Sequence, residues 1–263
     1  MVLIESLHNQ QLKLYRSLAK RKYRQKYGLL PLEGTRLVGE ALLQKVAQPK
    51  FILLRGEATL EDFALPCAPP VTTTVLNVAE KVFAQTAFTE SPQGILAVVE
   101  QPQMPLSAVF TQQPALILVV DGVQDPGNLG TMIRSAAAVG ASGVVLLPGT
   151  VDATNPKTLR ASMGAYFALP VVETSFTTLH SSLQKHQVQL VITGSQAARS
   201  YEDYDWQQSV AVVIGNEGAG VSPPVREAAA TAVAIPMAQA VESLNAAIAM
   251  SVLFFEAARQ RRQ

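Results

Sequence analysis

Cysteine is almost missing: the 263-residue chain has one, Cys67, so no internal disulfide can close. Histidine is scarce, and His8, His180 and His186 are scattered too far apart in sequence to suggest a zinc site, so no metal is expected. Charged residues are 16% of the chain, below the roughly 25% of an average globular protein. With 48% hydrophobic residues a sizeable core can be buried, and disorder over most of the chain is excluded. No apolar run approaches the ~18–20 residues of a membrane helix. The longest, Pro114-Ala-Leu-Ile-Leu-Val-Val120, is strand-sized, so no membrane partner is expected. The first thirty residues lack the apolar core of a secretory signal. They are basic and nearly acid-free, yet run into patterned sequence without a small-residue processing site, which argues against a transit peptide. These absences suit a reducing compartment, and a cytoplasmic location is expected.

What is present is unevenly distributed. Net charge is +1, but residues 1–60 hold eleven Lys/Arg against four Asp/Glu, whereas residues 61–263 hold ten against sixteen. A basic first part on an acidic remainder suggests that one part meets a polyanion and the other does something else. The basic excess concentrates in residues 5–26, read as one helix with Leu7, Leu12, Leu14, Tyr15 and Leu18 as its apolar stripe. Lys13, Arg16, Lys20 and Arg24 recur at spacings of three and four, so they share a face, which Arg21, Lys22 and Lys26 broaden. Such a face is either simply solvated or a phosphate-backbone contact, and the near absence of acids favours the second.

Strand-like runs at 28–34, 51–54, 71–75 and 95–99 alternate with helical spacing over 35–46 and 78–83, giving a small α/β domain over 1–104. Residues 105–114, with prolines at both ends, read as a linker. From 115 to 263 the alternation resumes. Strands are expected at 116–120, 143–147, 169–172, 190–193, 210–214 and 232–235; helices at 129–139, 155–162, 178–186, 223–229 and 243–262. Near-continuous apolar strands belong to a parallel sheet covered on both faces.

Three loops carry polar residues amid glycine. The first, Asp121 to Arg134, follows a strand and opens a helix, as nucleotide sites do. Yet Gly127-Asn-Leu-Gly130 is neither a dinucleotide fingerprint nor a P-loop. The second, Ile214-Gly-Asn-Glu-Gly-Ala-Gly220, lets backbone approach a ligand closely. The third runs from Ile235-Pro-Met237 to Glu242-Ser-Leu-Asn245. There Ser243 reads as a plain helix N-cap, and Asn245 falls in the first turn of an otherwise apolar helix.

Taken together and in order, Asn-x-Gly-x-x-x-Arg-Ser-Ala at 128–136, Gly-Asn-Glu-Gly-x-Gly at 215–220, and Ile-Pro-Met with Ser-Leu-Asn at 235–245 resemble the motifs of SpoU/TrmH-type RNA ribose 2′-O-methyltransferases. Glu33-Gly34 followed by Arg36-Leu-Val-x-Glu40-Ala more loosely resembles the small substrate-binding domain many of them carry. The resemblance implies a parallel α/β sheet, its carboxy-terminal segment threaded into a trefoil knot, plus the smaller amino-terminal RNA-binding α/β domain. It implies a pocket for S-adenosylmethionine built by Thr193, Gly194, Ile214, Gly215, Asn216, Gly220, Ile235, Pro236, Met237 and Leu244. It places Arg134 beside the reacting 2′-hydroxyl, with Asn128, Glu217, Ser243 and Asn245 orienting both. A guanidinium holds its proton far above neutral pH and is a poor base, so two roles stand for Arg134: proton acceptor, or phosphate clamp and hydroxyl activator. RNA contacts are expected at Lys13, Arg16, Lys20, Arg21, Arg24 and Arg36, with base stacking on Tyr15, Tyr23 and Tyr27. Ribosomal RNA is the preferred substrate and transfer RNA the alternative. A homodimer is implied, its seam drawing on Ile248, Val252, Phe254 and Phe255. Competing readings lose ground on specific residues. A nicotinamide oxidoreductase or a Rossmann-type methyltransferase lacks its fingerprint, and a non-catalytic RNA-binding or ribosome-assembly protein leaves Asn128, Arg134, Glu217 and Asn245 unexplained.

Overall fold

The structure, a computed structural model, describes residues 3–194, 197–238 and 243–263. Glu242, in the third loop, lies outside them. The first elements in chain order are β1 (Leu3–Ile4), α1 (Gln10–Ser17), α2 (Arg21–Tyr27), β2 (Leu29–Glu33), α3 (Thr35–Gln44), β3 (Pro49–Arg55), β4 (Thr74–Val78), α4 (Glu80–Thr86) and β5 (Ile95–Glu100). There follow β6 (Leu116–Asp121), α5 (Pro126–Ala138), β7 (Gly143–Leu146), α6 (Pro156–Ala161), β8 (Val171–Glu173), α7 (Phe176–Lys185) and β9 (Gln189–Thr193). The last are β10 (Arg199–Ser200), β11 (Val210–Gly215), α8 (Pro223–Ala228), β12 (Thr231–Ala234) and α9 (Ala246–Arg261). The chain divides into two compact units, Met1–Gln103 with Asp152–Ala168, and Met104–Val151 with Leu169–Gln263. Residues 105–114 carry a short 3-10 helix, Leu106–Phe110, whose Val109 and Phe110 are buried in the second unit's core.

The first unit is built on a mixed sheet of order β1-β4-β3-β5-β2, in which β5 runs antiparallel to β2 and β3. Leu12, Tyr15 and Leu18 pack with Phe51, Leu53, Val78, Phe83, Leu96 and Val98 on one face of it. The alternate residues Ile52, Leu54, Ile95, Ala97 and Val99 are buried as well, so both faces are covered. The strand expected at 71–75 begins instead at Thr74: Val71 is fully exposed after Pro69-Pro70, and the Thr73 N–H closes a turn on the Pro70 carbonyl.

The single helix expected over 5–26 is two, broken at 18–20. Asn9 caps the first by accepting the N–H groups of Gln11 and Leu12. Arg24 holds the break. Its Nη1 donates to the carbonyls of Leu18 at 2.7 Å and Ala19 at 2.9 Å, which the helix end leaves without partners. Its Nε donates to Thr154 Oγ1 at 3.0 Å, and its Nη2 pairs with Asp152. Arg24 is therefore 2% exposed, a buried cation tying the helix break to residues 152–154.

The second unit holds a sheet of order β10-β12-β9-β11-β6-β7-β8, and every pairing among the described residues is parallel. All six residues of β6 are buried, as are Val210 to Ile214 of β11, as the apolar runs require of a sheet covered on both faces. Leu179 and Leu183 of α7 pack against Val145, Leu190 and Val213, among others. Helix α9 buries Met250, Leu253 and Phe254 and meets α5, where the hydroxyls of Ser135 and Ser251 hydrogen-bond at 2.8 Å. Arg261 anchors its end by donating to the carbonyls of Pro114, Ala115, Trp206 and Gln208. No helix among the described residues is long and apolar enough to cross a membrane.

Candidate active site

Strand register decides where the polar loops fall. Gly215 at the end of β11 pairs with Asp121 at the end of β6, and Val233 of β12 pairs with Thr193 at the end of β9. The carboxyl ends of four neighbouring strands thus finish at one edge of the sheet, where α/β folds place their ligands. A cavity of about 590 Å³ opens there. Thr193, Gly194, Ile214, Gly215, Asn216, Gly220, Ile235, Met237 and Leu244 all line it; of the expected cofactor residues only Pro236 is absent from its wall. Glu217, Ser243 and Asn245 line it too.

The second loop is a tight ring. The Asn216 N–H donates to the Gly220 carbonyl at 3.0 Å and the Gly220 N–H returns to Asn216 at 2.9 Å. Asn216 Oδ1 accepts the N–H groups of Gly218 and Ala219, while its Nδ2 donates to the Gly122 carbonyl at 2.8 Å. A Cβ at Gly215 would collide with the Gly220 backbone, and Gly220 itself has φ +71°, so this closure requires glycine at both positions. Asp121 is buried and its Oδ2 accepts the Ser222 N–H at 2.7 Å, fixing the far end of the ring.

The first loop starts its helix earlier than 129. Asp125 is the N-cap, accepting the Asn128 N–H at 2.8 Å, and Pro126 takes the first helical position, which suits its fixed φ and missing donor. Asn128 thereby sits in the first turn, aimed at its neighbours. Its Nδ2 donates to Glu217 Oε1 at 3.0 Å, and its Oδ1 accepts from Asn245 Nδ2 at 2.9 Å. One residue from each loop enters this chain of side-chain hydrogen bonds. Asn245 rather than Ser243 caps α9, its Oδ1 accepting the N–H groups of Ala247 and Ile248. Partial burial opposes ionisation of Glu217. Hydrogen bonds from the Asn128 amide and from the backbone N–H groups of Glu217, Gln124 and Asp125 outweigh it and hold the carboxyl below its ordinary range. Glu217 is thus a fixed anion at neutral pH, suited to organising the site rather than shuttling protons there.

A match to the SpoU rRNA methylase family spans residues 115–255. The chain belongs to that family. A match to the MRM3-like substrate binding domain spans residues 9–97. The chain is 36% identical over 255 residues to the 23S rRNA (guanosine(2553)-2′-O)-methyltransferase RlmP of Bacillus subtilis (strain 168), covering 96% of this chain and 97% of that one. It is 31% identical over 296 residues to the mitochondrial rRNA methyltransferase 3 of Mus musculus, covering 92% and 70%. The crystal structure of the SpoU methyltransferase AviRb from Streptomyces viridochromogenes, in complex with the cofactor AdoMet, superposes with a TM-score of 0.88 at 29% identity, covering 97% of this chain and 99% of that one.

Not every residue expected at a SpoU site gathers at the cavity. Arg134 projects from α5, exposed, with no hydrogen bond or ion pair to a described residue, and is not part of the cavity wall. On the amino-terminal face Lys13, Arg16, Lys20 and Arg36 are exposed, and Arg21 is exposed with its Nε 3.9 Å from Asp152. Arg24 is not available to RNA: burial and four protein acceptors account for it. Tyr15 is equally withdrawn, buried, donating to the Leu32 carbonyl at 3.3 Å and stacked on Phe88. Tyr23 and Tyr27 stack on each other with Lys22 and Lys26 over their rings. Phe254, expected at a dimer seam, is core. Sequence reasoning missed Val221, Arg226, Val233, Ala246 and Ala249 in the cavity wall. Four are small or apolar, three of them inside ordinary-looking elements and Val221 in the turn after Gly220, and they carry no signal. Arg226, whose Nη2 donates to the Val221 carbonyl at 3.1 Å, reads in sequence as a cation in a helix's last turn.

Proposed function

We propose that the protein is an S-adenosylmethionine-dependent methyltransferase acting on a ribose 2′-hydroxyl of structured ribosomal RNA. The observation that carries this reading is the Glu217–Asn128–Asn245 hydrogen-bond chain, which joins all three loops beside one cavity. The cavity suits the donor. Gly194, Gly215 and Gly220 leave backbone bare, Ile214, Val233, Ile235, Met237 and Leu244 supply apolar wall, and ionised Glu217 complements a cationic ligand. Its volume lies within the usual ~300–1,000 Å³ of small-molecule sites. When bound there, the donor supplies the transferable methyl group.

The chain's own work is to place the hydroxyl and dispose of its proton. Asn128, itself outside the cavity wall, holds the Asn245 amide in one orientation within it, and Ser243 adds a hydroxyl to the same wall. Positioning of this kind supplies much of the barrier reduction in two-reactant chemistry. Arg134 is free to take an RNA phosphate or the hydroxyl. To act as proton acceptor it must first be desolvated, which requires bound RNA to cover it. The first unit recognises the RNA through Lys13, Arg16, Lys20, Arg21 and Arg36, with the Tyr23–Tyr27 pair for stacking. RlmP is named for a guanosine and a Streptomyces viridochromogenes relative for a uridine, so the ribose rather than the base is the shared target.

The same reading includes a homodimer. Ile248 and Phe255 are 54% and 51% exposed at a spacing of seven on α9, with Val252 between them on the same face. It includes the trefoil threading of the family and a cytoplasmic location, which suits ribosomal RNA and the free thiol of Cys67. Mapping 2′-O-methyl positions in total RNA from cells with and without the protein tests the central proposal. One ribosomal position should lose its methyl group, and an unchanged map would refute it.

A further inference from the structure

The first unit contains a second cavity, of about 380 Å³, between the end of β2, the start of α3, the 89–93 loop and α6. Its arginine donors are left unmatched, although two glutamates share the wall. Arg36 and Arg160 border it, and neither guanidinium hydrogen-bonds or ion-pairs with a described residue. Arg160 Nη1 is buried without an acceptor, a state that native structures rarely leave unanswered. Glu33 is in the same wall but already committed: its carboxylate accepts the N–H groups of Phe88 at 2.9 Å and Thr89 at 3.2 Å, together with the Thr89 hydroxyl. Glu90 sits exposed at the rim, where solvent screens it.

The backbone adds to the imbalance. Helix α3 starts at Gly34 without a side-chain cap, so the N–H groups of Arg36 and Leu37 find no partner among the described residues. Gln93 Oε1 takes the Thr35 N–H at 3.0 Å and packs so closely that a Cβ at Gly34 would lie 2.7 Å from it; with φ at +98°, glycine is required there. A ligand with several acceptor oxygens would satisfy both arginines and the helix start together, and phosphate is that ligand.

We propose that this cavity is an RNA-phosphate pocket, in which Arg36 and Arg160 clamp one phosphodiester at the head of α3 while the attached nucleoside rests against Leu37 and Met163. The proposal rests on the reading of the protein as an RNA methyltransferase and adds to it a defined anchoring point outside the methyl-transfer site. Phosphate contacts set register without reading sequence, so the pocket positions the RNA rather than selecting its bases.

The test uses the intact protein and a ribosomal RNA transcript, with affinity followed by fluorescence anisotropy across a salt series. Arg36→Gln and Arg160→Gln should each weaken RNA binding by about tenfold and lower the log–log salt slope by about 0.7–0.9 per lost phosphate contact. Affinity for S-adenosylmethionine, measured by calorimetry, should not change. Arg36 is exposed, so its variant carries the test even if Arg160→Gln fails to fold. RNA bearing 4-thiouridine should cross-link to the peptides holding residues 89–93 or Met163. Inorganic phosphate should compete no better than chloride at equal ionic strength; displacement of RNA at micromolar phosphate would mark a free-anion site and overturn the proposal. Unchanged affinity and slope in the Arg36 variant, in a protein that still binds and methylates RNA, would overturn the pocket and leave the enzyme standing. A wild-type protein that binds no RNA would overturn the functional reading as well.

Discussion

Asn245 has two separable jobs, and a pair of substitutions divides them. Its Oδ1 caps α9, and its Nδ2 holds Asn128 at 2.9 Å. Asn245→Ala removes both. Loss of an N-cap costs about 0.5–2 kcal/mol, which for a unit of this size lowers Tm by roughly 2–8 °C. Asn245→Asp keeps the cap, since a carboxylate accepts the same N–H groups and complements the helix dipole by about 0.3–1 kcal/mol. It also replaces the donor facing Asn128 Oδ1 with a charged acceptor. The lost hydrogen bond is worth about 0.5–1.5 kcal/mol, and because the pair is exposed, solvent spares the facing acceptors the penalty that a buried pair would carry. If the hydrogen-bond chain orders the reacting groups, this loss of about 0.5–1.5 kcal/mol appears in the chemical step as a roughly 2- to 13-fold slower single turnover. The assays are differential scanning calorimetry and single-turnover methylation with labelled donor. Trp206 is the chain's one tryptophan and is buried in the second unit, so its fluorescence reports unfolding there. Near-normal turnover by a well-folded Asn245→Asp protein would refute the reasoning and reduce Asn245 to a helix cap.

Arg134→Ala should abolish methylation while leaving donor affinity, read by calorimetry, largely intact, because Arg134 does not line the donor cavity; equal loss in both would contradict its assignment to the RNA side. Lys20→Glu with Arg16→Glu should weaken RNA binding, steeply so at low salt, without altering donor binding. Arg24→Met should instead destabilise the first unit by about 3–5 kcal/mol, as removing one partner of a buried pair does, and a urea melt followed by far-UV circular dichroism would show it. Asp152 sets the pH dependence of that pair. Burial raises its carboxyl, but hydrogen bonds from Thr154 and Arg24 and the Arg24 charge bring it below its ordinary value of 3.8. The stabilisation is therefore complete above pH 3.8 and is lost as pH falls through the lower, folded value, so melts at pH 7 and pH 5 should coincide and those near pH 3 should not.

How much of this was readable from residues alone follows from how local the physics is. Apolar runs of five buried on both faces specify a parallel strand by themselves, so β6 and β11 stand out. The glycines of 215–220 answer to backbone geometry within six residues, and the expected donor wall follows them almost residue for residue. Helix starts were less secure. Residues 126–128 read as loop because Pro126, Gly127 and Asn128 lack apolar periodicity, while the Asp125-Pro126 pair that starts the helix is a cap signal, not a periodic one. Phe254 and Phe255 are adjacent and alike in composition. Only the helix's rotation against its neighbours decides that Phe254 is core and Phe255 is surface.

The basic stripe shows where such reading fails and why. Lys13, Arg16, Lys20 and Arg24 look equivalent at spacings of three and four, and charge patterning treats them as one solvated face. Arg24 leaves the set because its acceptors are two carbonyls that exist only where the helix breaks and a carboxylate 128 positions along the chain. Residues 152–168 join the amino-terminal core although strands of the other sheet flank them in sequence. No window short enough to carry periodicity contains both partners. The same segment brings Arg160 to the wall of the second cavity, so what conceals Arg24 from a local reading also conceals that donor-rich pocket. A buried arginine at a helix break should therefore be sought by its acceptors, and a cation beside the second cavity with no acceptor among the described residues is the stronger candidate for RNA.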